Sequence, residues 1–188
     1  MSKKRVVITG LGVFCGAGKN VPEFSEALVN GTSGIGPLDL FDVTPFPSRI
    51  GCQAKGYDPL DYFERRTTRK LSRTDQFGII AAGEALRESG VLGCYSPCDM
   101  GVSMGAGAGG MFQAEQWLRA YLEGEAASPI LLRGVLPDKT ATEIARTFNL
   151  AGYQGNVTTA CSSSATAIGW GAELVASGLQ KAVLAGGS

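Results

Sequence analysis

Cys161 lies in Val157-Thr158-Thr159-Ala160-Cys161-Ser162-Ser163-Ser164, where a β-branched run gives way to small residues. The pattern places the thiol at a strand-to-helix junction, where unsatisfied backbone N–H groups and the positive end of the helix dipole favour thiolate over thiol. The same N–H groups can receive the oxyanion of a thioester adduct. One position therefore offers a nucleophile together with part of an oxyanion hole. The residue reads equally as a buried structural cysteine, because cysteine is among the residue types most often packed inside proteins.

Four further patterns carry less. Gly105-Ala106-Gly107-Ala108-Gly109-Gly110 satisfies the dinucleotide fingerprint, but Glu123 and Glu125, at the spacing where an acidic residue should close a second strand, end a helix instead. Close backbone packing is the better reading of these glycines. Gly101-Val102-Ser103-Met104-Gly105 matches the hydrolase elbow, yet the serine falls inside a strand and no histidine exists to activate it. Gly18-Lys19-Asn20 lacks the Ser or Thr that a phosphate loop places after its lysine. Cys94 and Cys98 could form half of a zinc site, but no second pair of ligands accompanies them, and no metal site is expected.

Composition narrows the classes. Among 188 residues there are 17 basic and 17 acidic side chains and no histidine. Neutrality disfavours generic nucleic-acid binding, which depends on excess Lys and Arg. Without histidine these residues cannot assemble a Ser-His-Asp triad, a Cys-His dyad or a His-ligated metal. Five scattered cysteines suit a reducing cytosol, and neither a membrane span nor a signal peptide is expected. Arg65, Arg66, Arg69, Lys70 and Arg73 form the one dense charge cluster, readable as a surface for an acidic partner or as a solvated helix face.

The elements that would position these groups alternate. Arg5–Thr9 reads as a buried strand ending at Gly10-Leu11-Gly12, and Pro22–Asn30 as a helix. An irregular surface excursion occupies 32–61, rich in proline and glycine. Helical spacing resumes over Thr74–Glu88, with Phe77, Ile80, Ala81, Ala85 and Leu86 as its apolar stripe and Gly90 as its stop. A strand over Met100–Met104, helices over Met111–Glu123 and Pro137–Phe148, and a short strand over Asn156–Ala160 follow. Ser162–Ala176 carries a single charge, Glu173, and lacks a polar face, which predicts a helix buried on nearly all sides. Lys181–Ala185 begins another buried strand. The alternation predicts a layered α/β fold with a mixed, largely parallel sheet.

RVVITGLGVFCGAG near the start, MGVSMGAGAGGM in the middle and above all NVTTACSSSATAIGWGAELVASGLQKAVLAGGS resemble the N-terminal half of the β-ketoacyl-acyl-carrier-protein synthases, condensing enzymes of thiolase-like fold. The resemblance runs through essentially the whole chain, so 1–188 is expected to be that N-terminal domain. It implies an elongating enzyme of fatty-acid or polyketide synthesis, performing a decarboxylative Claisen condensation with malonyl-acyl carrier protein. The matching nucleophile is Cys161, whose N–H would be one of two oxyanion donors; Cys in place of Gln argues against the chain-length-factor relatives.

By the same resemblance, Ala108, Met111 and Phe112 would border the acyl pocket, and Arg66, Arg69 and Lys70 would dock acyl carrier protein. No cofactor is implied beyond the phosphopantetheine that carries the substrates. The complete enzyme would be a cytoplasmic homodimer without nucleic-acid or membrane partners. Family members are roughly twice as long, and their decarboxylating histidines and second oxyanion donor lie in the half not matched here. The expectation is therefore a fragment inactive by itself, the alternative a non-catalytic remnant or a binding or dimerisation half-domain.

Overall fold

A computed structural model of the chain describes residues 5–107, 109–136 and 139–188. Its centre is a three-stranded parallel sheet in the order β4-β3-β5, with β3 at Met100–Gly105, β4 at Gln154–Val157 and β5 at Ala182–Gly187. Met100 faces Ala182 and Gly105 faces Gly187 across one ladder, while Val102 faces Gln154 across the other. Every residue of β3 is buried.

Strand alternation divides β3 between two layers. Met100, Val102 and Met104 enter the apolar core shared with α3 (Arg73–Ser89) and α5 (Lys139–Phe148), where they meet Ile79, Ala82, Ala141 and Ile144. Gly101, Ser103 and Gly105 alternate with them, and α6 (Ser163–Ala176) packs closely here: the Ser103 hydroxyl donates to the Ala167 carbonyl at 2.9 Å. Gly171 of α6 meets Val183 and Ala185 of β5. The small residues of the sheet thus let the helix behind the candidate nucleophile approach closely.

α1 (Val21–Val29) is capped by Asn20, whose side chain accepts from the Glu23 N–H. The segment 32–61 contains a short antiparallel hairpin, β1 (Ile35–Pro37) with β2 (Ile50–Cys52). α2 (Arg65–Thr68) precedes α3, and α4 (Met111–Leu122) follows the glycine turn after β3. Gly90 closes α3 in the left-handed region at φ 61, as its position at the helix end predicts.

Three sequence expectations need correction. Arg5–Thr9 is neither buried nor paired: Val7 and Ile8 are exposed, and no strand partners them among the described residues. A β-branched run favours extended backbone, but only a neighbouring edge makes it a strand. The loop after it is held otherwise, by carboxylates of α3: Glu84 accepts the N–H groups of Val13 and Val21, and Glu88 that of Leu11.

On α3, the most buried face is Asp75, Gln76, Gly78, Ile79, Ala82, Gly83 and Leu86, so of the predicted stripe only Leu86 belongs to it. Phe77 turns away to a cluster with Phe14 and Tyr57, while Ala81 and Ala85 support the close approach of Gly12 and Gly10. Finally, α6 buries one face only, through Ser163, Ala167, Gly171 and Leu174; Ile168 and Trp170 are about half exposed, at 49% and 48%. An absent polar face reports an apolar helix, but burial requires a covering partner, and among the described residues the sheet is what packs on α6.

Candidate active site around Cys161

β4 leaves the sheet at Val157 and the chain turns sharply into α6. Thr158 donates its hydroxyl to the Ala106 carbonyl at 2.9 Å, and the Asn156 amide donates to the same oxygen at 3.1 Å. These bonds tie the exit of β4 to the exit of β3. Ala160 then takes φ 52, in the left-handed region, and Ala160–Ser162 form a single 3₁₀ turn that runs into α6. Cys161 sits in that turn with an exposed thiol, which sets it apart from a packing cysteine. Its N–H has no hydrogen-bond partner among the described residues.

Hydroxyl groups brace this elbow. Ser163 accepts the Thr159 N–H at 2.8 Å and donates to the Ala160 carbonyl at 2.7 Å. Ser162 donates to the Thr159 carbonyl at 2.9 Å, and Thr166 to the Ser162 carbonyl at 2.9 Å. Below the elbow, Gly105 lies against the Ser163–Ser164 peptide so closely that a Cβ there would overlap its backbone. Gly187 meets the Ser164 hydroxyl in the same way. The glycines at the ends of β3 and β5 thus admit the first turn of α6, in accord, for Gly105, with its reading as a packing residue.

The arrangement sets an exposed cysteine beside a backbone N–H that has no partner among the described residues, the two kinds of group that nucleophilic attack on a carbonyl would draw on. Ser103, by contrast, is fully buried and spends its hydroxyl on α6, so it has no part in a hydrolase elbow.

The other residues singled out from the sequence occupy separate places. Met111 and Phe112 stand in the first turn of α4, both largely exposed; Ala108 lies outside the described residues. Beside the glycine turn, Ala106, Gly107, Gly109 and Gly134 border a crevice with about 10 Å³ of free volume, room for roughly one water and not for an acyl chain. Arg66, Arg69 and Lys70 are exposed, and none is in an ion pair among the described residues. Arg73 departs from this group. Its guanidinium lies over the rings of Tyr57 and Phe77, 5.3 and 5.5 Å from their centroids. Burial pushes the Tyr57 phenol up to about 12, against the opposing field of Arg73. Its hydroxyl donates to Gln76 at 2.6 Å.

Sequence reasoning missed the buried group that fixes the basic segment. Asp75 and Ser72 form a reciprocal capping box at the start of α3. The other partners of the Asp75 carboxylate are Lys139 and Thr140, each at 2.8 Å. Lys139 also donates to the Lys70 carbonyl at 2.7 Å. The Ser72-x-x-Asp75 spacing was a usable signal for the cap; Lys139, distant in sequence, carried none. Ser163 was also missed, although the density of hydroxyl residues around Cys161 marks a turn needing side-chain partners.

Comparison with known proteins gives this geometry its context. Residues 3–188 match the model of the β-ketoacyl synthase N-terminal domain. A 3-oxoacyl-[acyl-carrier-protein] synthase 2 of Coxiella burnetii is 31% identical over 191 residues, covering all of this chain and 46% of that protein. The chain thus spans about half the length of this curated relative. Among solved structures, the ishigamide ketosynthase/chain length factor superposes with a TM-score of 0.85 at 26% identity, over 99% of this chain and 47% of that one. A type II polyketide ketosynthase, solved in complex with its acyl-carrier protein, shares the fold at a TM-score of 0.82 and 21% identity, over 99% and 50% of the two chains. With a layered thiolase-like architecture and a family match across nearly its whole length, the chain belongs to the β-ketoacyl synthase family and corresponds to its N-terminal domain.

Proposed function

We propose that this chain is the nucleophile-bearing part of an elongating condensing enzyme of fatty-acid or polyketide synthesis. The observation that carries the reading is Cys161, exposed at a strand-to-helix elbow beside its own unengaged N–H. In the first half-reaction the Cys161 thiolate attacks the carbonyl of an acyl thioester held on the phosphopantetheine of acyl carrier protein. A tetrahedral oxyanion forms against the Cys161 N–H; the bond to the pantetheine sulfur then breaks, that thiol leaves with a proton, and the acyl group remains on Cys161. In the second, malonyl-carrier protein releases CO₂, and the resulting carbanion attacks the acyl carbonyl. A carbon–carbon bond forms and Cys161 departs as thiolate.

Decarboxylation in this reading draws on imidazoles, and the 188 residues contain none. General acid–base help is commonly worth about 10²–10⁴ in rate, so these residues alone are expected to acylate without condensing. Arg66, Arg69 and Lys70 supply a docking surface for the carrier, and Ala108, Met111 and Phe112 belong to the acyl pocket once the rest of the enzyme encloses them. The acyl groups arrive on the carrier, so the reaction requires no resident cofactor. A homodimer in the cytosol is the proposed assembly, supported by the apolar side chains Met111, Leu118 and Leu122 exposed on α4 and by five free thiols.

The apolar side chains Met111, Leu118 and Leu122 exposed on α4 also suit a second reading, a non-catalytic half-domain with a binding or dimerisation role. Incubation with an acyl-carrier-protein thioester followed by peptide mass spectrometry separates the two. The condensing-enzyme reading expects an acyl adduct on Cys161 that disappears in Cys161→Ser. Equal labelling of both proteins, or no label on Cys161, overturns it.

A further inference from the structure

Among the described residues only Asn149 and Ala160 hold positive φ without being glycine. Asparagine tolerates that region because its side chain can hydrogen-bond locally, whereas alanine has no such means. Ala160 must be held there by its surroundings, and among them Ser163 contacts the turn both through its hydroxyl and through its backbone N–H, which also donates to the Ala160 carbonyl. Its side chain is buried, at 4% exposure, and its hydroxyl contacts the backbone on both sides of Ala160: the Thr159 N–H ahead and the Ala160 carbonyl behind.

That carbonyl has a chemical consequence. The Ala160 C=O and the Cys161 N–H belong to one peptide group, which is planar and trans, so the two point in opposite directions. Fixing the oxygen onto Ser163 fixes the direction of the N–H. We propose that Ser163 is a positioning residue for the acyl-transfer step: by clamping the Ala160 carbonyl it aims the Cys161 N–H at the developing oxyanion. The inference rests on the reading of Cys161 as the acyl acceptor. It assigns no contact between Ser163 and substrate.

A test separates aiming from support. In the full chain, the rate of Cys161 acylation by the octanoyl thioester of N-acetylcysteamine is compared with its alkylation by iodoacetamide, with Cys94 and Cys98 as internal references. Acylation passes through an oxyanion, whereas alkylation is a displacement that does not. Ser163→Ala is expected to lower acylation about ten- to a hundredfold, approaching the loss of an oxyanion donor, while alkylation changes less than about threefold. Ser163→Thr, which retains the hydroxyl, should recover most of the acylation rate. Equal losses in both reactions, or no loss in either, overturn the proposal.

Should Ser163→Ala fail to fold, Ala160→Gly relieves the positive φ, and the same comparison is made between Ala160→Gly and the Ala160→Gly/Ser163→Ala pair, with the same selective loss expected. Selective ¹⁵N-cysteine labelling gives a readout independent of activity: Ser163→Ala should shift the Cys161 amide resonance while those of Cys94 and Cys98 stay in place. An unmoved Cys161 resonance refutes the clamp. A moved resonance in a protein that never acylates leaves the clamp standing and sinks the functional reading instead.

Discussion

Two helix starts in this molecule use similar residues to opposite ends. At α3, Ser72 and Asp75 satisfy each other's backbone N–H groups, and the carboxylate is further held by Lys139 and Thr140 in a buried cluster. At α6, Ser162 makes no cap with its side chain, no carboxylate occupies the first turn, and the Cys161 N–H is left without a partner among the described residues. A helix N-terminus presents several orphan donors and a partial positive charge. Where the chain's own side chains fill that site, the result is stability; where it stays open beside a thiol, donors remain that the proposed acyl transfer would use for its oxyanion. The strained Ala160 belongs to the open start, and the ordinary extended backbone of Ser72 to the closed one.

The most damaging way to break this comparison is to open the closed start. Asp75→Ala leaves Lys139 buried without its counter-ion and removes half of the capping box. Removing one partner of a buried ion pair typically costs about 3–5 kcal/mol, so urea unfolding should show a large drop in midpoint. Asp75→Asn, which can still accept hydrogen bonds, should lose less. A midpoint within error of wild type for Asp75→Ala would show that the buried cluster contributes nothing to stability.

The converse change closes the open start. Ala165 is exposed and stands three residues after Ser162, the same spacing that separates Asp75 from Ser72. Ala165→Asp therefore supplies the carboxylate that a capping box at α6 lacks. A carboxylate there competes for the orphan N–H groups and repels the thiolate, so acylation of Cys161 should fall about tenfold while thermal stability stays level or rises slightly. Unchanged acylation with a formed cap would mean that the helix start does not serve the nucleophile.

A smaller effect distinguishes the aromatic flank of α3. Tyr57 keeps its proton more firmly when folded than its ordinary value of 10.0, chiefly through burial. Because the folded state favours the neutral phenol, its contribution is complete below about pH 10 and is lost as pH rises toward about 12. Tyr57→Phe should therefore flatten the decline of stability between those values, followed by fluorescence-detected unfolding at each pH. Parallel declines in wild type and variant would assign the loss to other groups.

How much of this was legible beforehand differs between the two starts. Cys161 could be placed at a strand-to-helix junction because β-branched residues before it and small residues after it have opposite local preferences, and the glycine run that begins at the end of β3 announced close packing. The φ of Ala160 had no such sign, since alanine at a left-handed position is dictated by Ser163 and the packing around it. The Asp75–Lys139 pair was illegible for another reason: its members lie far apart in the sequence, and only the packing of α5 on α3 unites them. Arg5–Thr9 and the outer face of α6 show the same limit from the other side. Local composition reported that they are suited to burial, while the neighbours that would bury them are not determined locally.

The smallest expected effect per residue concerns the surface carried by the closed start. Arg66, Arg69 and Lys70 are exposed, but the Lys70 carbonyl is anchored to Lys139, so the patch rests on the stable part of the molecule. Exposed ion pairs are individually weak, about 0.2–1 kcal/mol as a class, and no single charge should decide docking. If the patch docks an acidic carrier as proposed, changing all three to Glu would replace attraction by repulsion. In the whole enzyme the KM for carrier-bound substrate should rise about tenfold, and wild-type affinity should weaken with salt, because opposite potentials act mainly on encounter. Acylation by a small thioester that needs no docking should remain near normal. An equal loss on both substrates would mean that the substitutions disturb the fold beneath the patch, and the rigid anchorage of Lys70 to Lys139 would then be what they had broken.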